Sequence, residues 1–141
     1  MDKKELARKV AEHMLENDAF SQWLGIEILE AAPGYSQLRM KVRDEMTNGF
    51  GITHGGVTFS LADSALAFAA GSHGTVAMAL DNKITYVKAV NKGDVLTVES
   101  KEEHCGRQIG VYNITVTNQD GKTVAVKRGT VYRTGKDFPL E

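Results

Sequence analysis

Asp63 is the one charged side chain in a run of apolar, small and hydroxyl-bearing residues that extends from Gly55 to Ser72. A carboxylate in such surroundings either is held by hydrogen bonds as a structural group or serves as a proton acceptor or nucleophile. Upstream, His54-Gly55-Gly56 opens the same run with two residues that leave the backbone N–H groups unencumbered. At the start of a helix such groups are free donors with partial positive charge, suited to an oxyanion forming on a carbonyl. The glycines alone also fit a tight strand-to-helix turn. Together with Asp63 they point to acyl transfer. The spacing from Gly55 to Asp63 corresponds to about 12 Å along a helix, whereas a base acting through one water sits only a few ångströms from the polarised carbonyl. One subunit therefore cannot readily supply both groups to one site. Two such helices, antiparallel across a two-fold axis, can, and an obligate dimer with composite sites is expected.

These residues need a long core helix from Val57 to Ala70 and an ordered glycine-rich approach, Asn48-Gly-Phe-Gly-Ile-Thr-His-Gly-Gly56. Ahead of them, residues 2 to 17 place Leu6, Val10 and Met14 on one face of an amphipathic helix. Asp18 to Gly25 reads as a short helical turn, capped by Asp18 and ended by Gly25. A β-like segment from Ile26 to Val42 breaks once at Pro33-Gly34, which predicts a hairpin. Four β-prone runs follow, Thr75 to Val90, Asp94 to Glu103, Ile109 to Asn118 and Lys122 to Arg133, read as a meander of antiparallel strands. The chain divides into a helical extension at 1–17, one domain at 18–135 and a short tail at 136–141.

With 42% apolar and 25% charged residues the composition is that of a globular protein, and a net charge of −1 gives no general attraction to nucleic acid or anionic lipid. No segment reads as a membrane span or an export signal, and a cytoplasmic protein is expected. Cys105 is the only cysteine, and with four scattered histidines it offers no zinc spacing; no metal or separate cofactor is expected. Gly49-x-Gly51 lacks the βαβ setting of a dinucleotide fingerprint, and Ser60 and Ser64 lack the Gly-x-Ser-x-Gly elbow of a serine hydrolase. Ser64 reads as a structural hydrogen-bonding group or a support to substrate. His13, His73 and His104 read as exposed, and Cys105 as incidental.

Asn48-x5-His54-Gly55-Gly56-x3-Ser60-Leu-Ala-Asp63, with the later run Gly106-Arg-Gln-x-Gly110-Val-Tyr, resembles PaaI-type thioesterases of the hot-dog superfamily, associated with phenylacetate degradation. The resemblance covers residues 20 to 134. It implies an α+β hot-dog fold, a long central helix wrapped by a curved antiparallel sheet, paired into dimers and often tetramers. It implies hydrolysis of an aryl- or arylacetyl-CoA, with Asp63 as base or nucleophile, the Gly55 N–H on the thioester oxygen, and Asn48 and His54 positioning the reacting groups. Gly56, Phe59, Ser64 and Leu66 are then expected on the substrate side. Lys83, Lys88, Lys92, Arg107 and Lys127 are available for the CoA phosphates, each also readable as a solvated surface charge, and Arg107 is the one chosen. The rivals are a hydroxyacyl-thioester dehydratase, disfavoured because prolines occur only at 33 and 139 and no His-Phe-Pro loop exists, and a non-catalytic acyl-CoA sensor, disfavoured by the carboxylate and by the lack of a second domain.

Overall fold

The computed structural model describes residues 1–140. Two helices come first, α1 (Lys3–Glu16) and α2 (Ala19–Leu24), each with an aspartate at its N-cap: Asp2 accepts from the Glu5 N–H at 2.8 Å and Asp18 from the Ser21 N–H at 3.0 Å. Gly25 ends α2 in the left-handed conformation at φ 78°, which costs glycine nothing. The buried face of α1 is Ala7, Val10 and Ala11, with Leu6 and Met14 only half-buried. The two alanines, not the longer residues, let this helix lie close against the core.

A hairpin follows, β1 (Glu27–Ala32) and β2 (Tyr35–Lys41), turning at Pro33-Gly34. A single 3-10 turn (Asp44–Met46) and a pinned loop lead into α3 (Gly55–Gly71), the long central helix. Then come β3 (Thr75–Tyr86), β4 (Val95–Cys105), β5 (Ile109–Thr117) and β6 (Thr123–Asp137). All six strands form one antiparallel sheet in the order β1-β2-β4-β5-β6-β3. The expected meander of four strands is thus a meander of three, β4 to β6. β3 crosses to the far edge and pairs with β6 instead of β4. Alternation of apolar residues sets which face of a strand is buried but not which neighbour it takes.

The concave face of the sheet wraps α3. Leu61, Ala62, Ala65, Leu66, Phe68 and Ala69 of the helix are buried against Leu38, Met40, Leu96, Val98, Tyr112, Ile114 and Val131. β6 passes closest at Gly129, where an added Cβ would lie 2.6 Å from Leu66 Cδ2. Leu66→Ala would leave a cavity there, at a cost of about 2–5 kcal/mol. β6 runs to Asp137, two residues past the boundary expected at 135, and the Phe138 N–H donates to Gly74 O at 3.0 Å. Residues 136 and 137 therefore continue the sheet and Phe138 is tied to Gly74 just beyond it; Glu141 lies outside the described residues. No helix among them is long and apolar enough to cross a membrane.

Among the described residues, two open surfaces adjoin α3 or the far sheet edge. One is the outer edge of β3, which has 12 residues, no proline, and Met78 and Leu80 each 59% exposed. The other is a stripe along α3, where Gly56 is exposed and Ser60, Asp63 and Ala67 are only half-buried. These four positions recur at helical spacing, so they form one face.

Candidate active site

The approach to α3 is held by its own backbone. Asn48 accepts from the Phe50 N–H at 2.8 Å and the Ile52 N–H at 3.4 Å through Oδ1, while the Asn48 N–H donates to Ile52 O at 2.7 Å. The Thr53 N–H donates to Val90 O and the His54 N–H to Met46 O, both at 2.8 Å. His54 is the N-cap, and its Nδ1 accepts from the Gly56 N–H at 2.9 Å. That bond requires an unprotonated Nδ1, so a neutral His54 carries its proton on Nε2. It also occupies the Gly56 N–H. Among the described residues the Gly55 N–H has no hydrogen-bond partner, and it is an open donor of the first turn.

Tyr86, at the end of β3, completes this end of the helix. Its hydroxyl donates to Gly55 O at 2.8 Å, and a Cβ on Gly55 would meet the Tyr86 ring at 3.2 Å. Glycine at 55 therefore avoids crowding the Tyr86 ring as well as leaving a donor open. Asn48, Gly55, Thr58 and Tyr86 line one groove with the loop at Val87 to Val90. Burial pushes the Tyr86 hydroxyl above the ordinary phenol range, so it stays a donor at neutral pH.

Asp63 does not line that groove. It sits in the middle of the open stripe with its side chain 48% exposed, so one protomer does not bury it as the apolar helix suggested. Its Oδ1 accepts from Lys127 Nζ at 3.2 Å. Lys127, also read as a surface charge, is instead enclosed: its side chain is 0% exposed, and Nζ lies 4.6 Å from the Phe59 ring centroid. Burial drives its pKa below the ordinary lysine range, against the opposing pull of Asp63. Lys127 points inward because β6 alternates, with Ala125, Lys127, Gly129 and Val131 on the buried face. That period was present in the sequence as a signal for this residue. Nothing comparable marked Tyr86.

Of the other expected substrate contacts, Phe59 lies beside Asp63 through Lys127. Ser64 does not face the open stripe. It is buried on an adjoining face, with its Oγ 2.8 Å from Ser21 Oγ in the seam with α2, because adjacent helix positions point about 100° apart. Leu66 is 1% exposed and packs on Gly129 in the core. Arg107 is exposed in the β4–β5 turn and lines a separate depression with His104, Gly106, Gln108 and Ile109.

One long helix on a curved six-stranded antiparallel sheet, with a free N–H at its first turn and a carboxylate at its middle, defines a hot-dog thioesterase fold. Residues 50–125 match the family described as Thioesterase superfamily. The chain is 42% identical over 125 residues to the acyl-coenzyme A thioesterase PaaI of Escherichia coli, covering 89% of each. The structure of that protein, from the phenylacetic acid degradation operon, superimposes with a TM-score of 0.94 at 40% identity, covering 96% of this chain and 99% of the other. A putative esterase of Archaeoglobus fulgidus is 40% identical over 137 residues, 97% of this chain and 89% of that one. A Streptococcus mutans protein bound to acetyl CoA superimposes with a TM-score of 0.78 at 32% identity, covering 80% of this chain and 91% of the other. The chain belongs to the thioesterase superfamily and, within it, to the PaaI-type branch of hot-dog thioester hydrolases.

Proposed function

We propose that the protein hydrolyses aryl- or arylacetyl-CoA thioesters in a homodimer, itself paired into a tetramer, with each site shared between two subunits. The observation that carries this reading is the placement of Asp63 on the one stripe of α3 that a protomer leaves open, about 12 Å along the helix from Gly55. A second α3, antiparallel on that stripe, brings Gly55 of the partner subunit toward Asp63. The unpaired β3 edge is a template for joining the two sheets, and it would carry Tyr86 to the same seam.

In such a site the thioester carbonyl points at the Gly55 N–H, and His54 and Asn48 hold the first turn and its loop in place. Asp63 then removes a proton from the attacking water, or attacks the carbonyl carbon to give an anhydride that water opens. In both routes the tetrahedral oxyanion is held by the N–H donor, and collapse expels CoA as its thiolate. Tracing ¹⁸O from solvent water into Asp63 after one turnover separates the two: label in the protein establishes the covalent route. Phe59 lies against the Lys127 ammonium that pairs with the carboxylate and suits an aromatic acyl group, and kinship with PaaI supports the arylacetyl choice. Arg107 is the cation assigned to the CoA phosphates. The reading needs no cofactor other than the CoA of the substrate, and it belongs to a cytoplasmic enzyme.

Its test is complementation. Asp63→Asn and a variant impaired at Gly55 are each nearly inactive as homodimers; purified heterodimers should regain about one working site. Verified heterodimers without thiol release from phenylacetyl-CoA would refute the shared site.

A further inference from the structure

At the other end of α3, away from the acyl-transfer groups, three side chains of different donor chemistry converge. His73 lies in the turn that follows the helix, and its Nε2 is 2.7 Å from Glu102 Oε2. The free thiol of Cys105 joins them: the ligand atoms of His73, Glu102 and Cys105 all lie within 4.8 Å of one another, and all three residues are half-buried.

The convergence of Glu102 and Cys105 depends on a local irregularity. On a regular strand, residues three apart point to opposite faces. In β4 the register slips between Glu102, paired with Tyr112, and His104, paired with Val111. Glu103 is the extra residue, and the bulge returns Cys105 to the face that carries Glu102. Opposite Cys105 stands Gly110, whose missing side chain leaves room for the Tyr112 ring, 3.0 Å from where a Cβ would be. The Tyr112 hydroxyl donates to Glu102 Oε2 at 2.7 Å, so the carboxylate is oriented from behind. Fixing of a carboxylate by an outer hydrogen bond is the support that metal ligands commonly have. Burial and the Glu102 carboxylate push the Cys105 thiol above its ordinary range; Arg133, bonded to Gly106 O at 2.8 Å, opposes them, and it also opposes a metal charge.

We propose that His73, Glu102 and Cys105 form a binding site for a borderline divalent ion of the Zn²⁺ class, with water in a fourth position. Mixed nitrogen, oxygen and sulfur donors suit this ion better than Mg²⁺ or Ca²⁺, which take oxygen. Tetrahedral coordination separates ligand atoms by roughly 3.3–3.8 Å, given bonds of about 2.0–2.3 Å. Insertion thus widens the His73–Glu102 contact from 2.7 Å by somewhat less than one ångström, and the sulfur, within 4.8 Å of both groups, closes to bonding geometry. Binding is a ligand exchange in which the hydrated ion gives up waters: the Cys105 thiol loses its proton to solvent as the Zn–S bond forms, and His73 binds through Nε2 as its Nδ1–H tautomer, the hydrogen that Nε2 shares with Glu102 passing to Nδ1 by way of solvent. The ion would clamp the turn after α3 to β4.

The proposal is tested on the full-length protein after chelator treatment, titrated first with Co²⁺ and then with Zn²⁺. Near one equivalent of Co²⁺ per chain should bind with a near-ultraviolet thiolate-to-metal band, and Zn²⁺ should displace it. Zn²⁺ should also slow alkylation of Cys105 by iodoacetamide by tenfold or more. Cys105→Ser should abolish the band, and His73→Gln should weaken Zn²⁺ binding by about 10–100-fold. His73→Gln also alters the hydrogen bond to Glu102, so its circular dichroism and melting are read alongside to confirm a folded protein. Absence of the band at millimolar Co²⁺, or unchanged Zn²⁺ affinity in folded His73→Gln or Cys105→Ser, overturns the site.

Discussion

The first turn of α3 and its middle are built on opposite plans. The first turn is largely satisfied from within the chain: Asn48 ties its loop, His54 caps the helix, and Tyr86 holds Gly55 O, while the Gly55 N–H stays open. The middle is incomplete. Asp63 has one partner, the enclosed Lys127, and otherwise faces an uncovered stripe beside an unpaired strand edge. A donor must be rigid to stabilise an oxyanion, whereas the groups that meet water and substrate gain from being enclosed only on assembly. In the proposed shared site, this contrast is the reason each half needs the other.

The largest effect should come from the middle. Asp63→Asn keeps the shape of the side chain but removes its charge and basicity, and kcat/KM for thiol release should fall by about 10²–10⁴-fold. Equal rates for the two proteins would end the assignment. Next is the edge that should close the middle: Met78→Lys with Leu80→Lys places charges on β3 and should give a folded monomer by analytical ultracentrifugation, with activity lower by about 10²-fold. A dimer of full activity would mean that the site does not depend on this edge.

The first turn should respond more mildly. Gly55→Ala puts a methyl 3.2 Å from the Tyr86 ring and shifts the donor, with kcat falling by about 10–10²-fold and KM changing less. Adding Tyr86→Ala relieves the crowding; recovery of kcat would show that the clash, not a backbone change, caused the loss.

The smallest effect is on stability and concerns the ion pair. Asp63→Asn leaves a buried ammonium without its anion, whereas Lys127→Met leaves a carboxylate that reaches water. The first should therefore cost more, about 1–2 kcal/mol, below the ~3–5 of a fully buried pair because Asp63 is half exposed. Since the folded state depresses the Lys127 pKa, the unfolded chain binds more protons between that value and 10.5, and stability contributed by this group rises with pH there. Below the depressed value the cost is fully present. Lys127→Met should flatten that alkaline rise in urea melts recorded from neutral pH upward.

Much of this molecule was legible in its residues. α1, the capped α2 and the Pro33-Gly34 hairpin stand at the positions their signals give, because caps, turn residues and period depend on neighbours in the chain. The family motif from Asn48 to Asp63 led to the hot-dog fold for the same reason: its parts lie on one loop and one helix. Packing decided the rest. Sequence periodicity could not show that β3 crosses to β6, that Tyr86 closes on Gly55, that Ser64 turns toward Ser21, or that the β4 bulge sets Cys105 beside Glu102 and His73. Lys127 shows the boundary between the two. Its inward position follows from strand alternation alone, but its partnership with Asp63, 64 residues away, exists only once the sheet has closed around the helix. Local chemistry is written along the chain, while the meeting of distant groups depends on which strand neighbours which, and that is settled by burying the whole core at once.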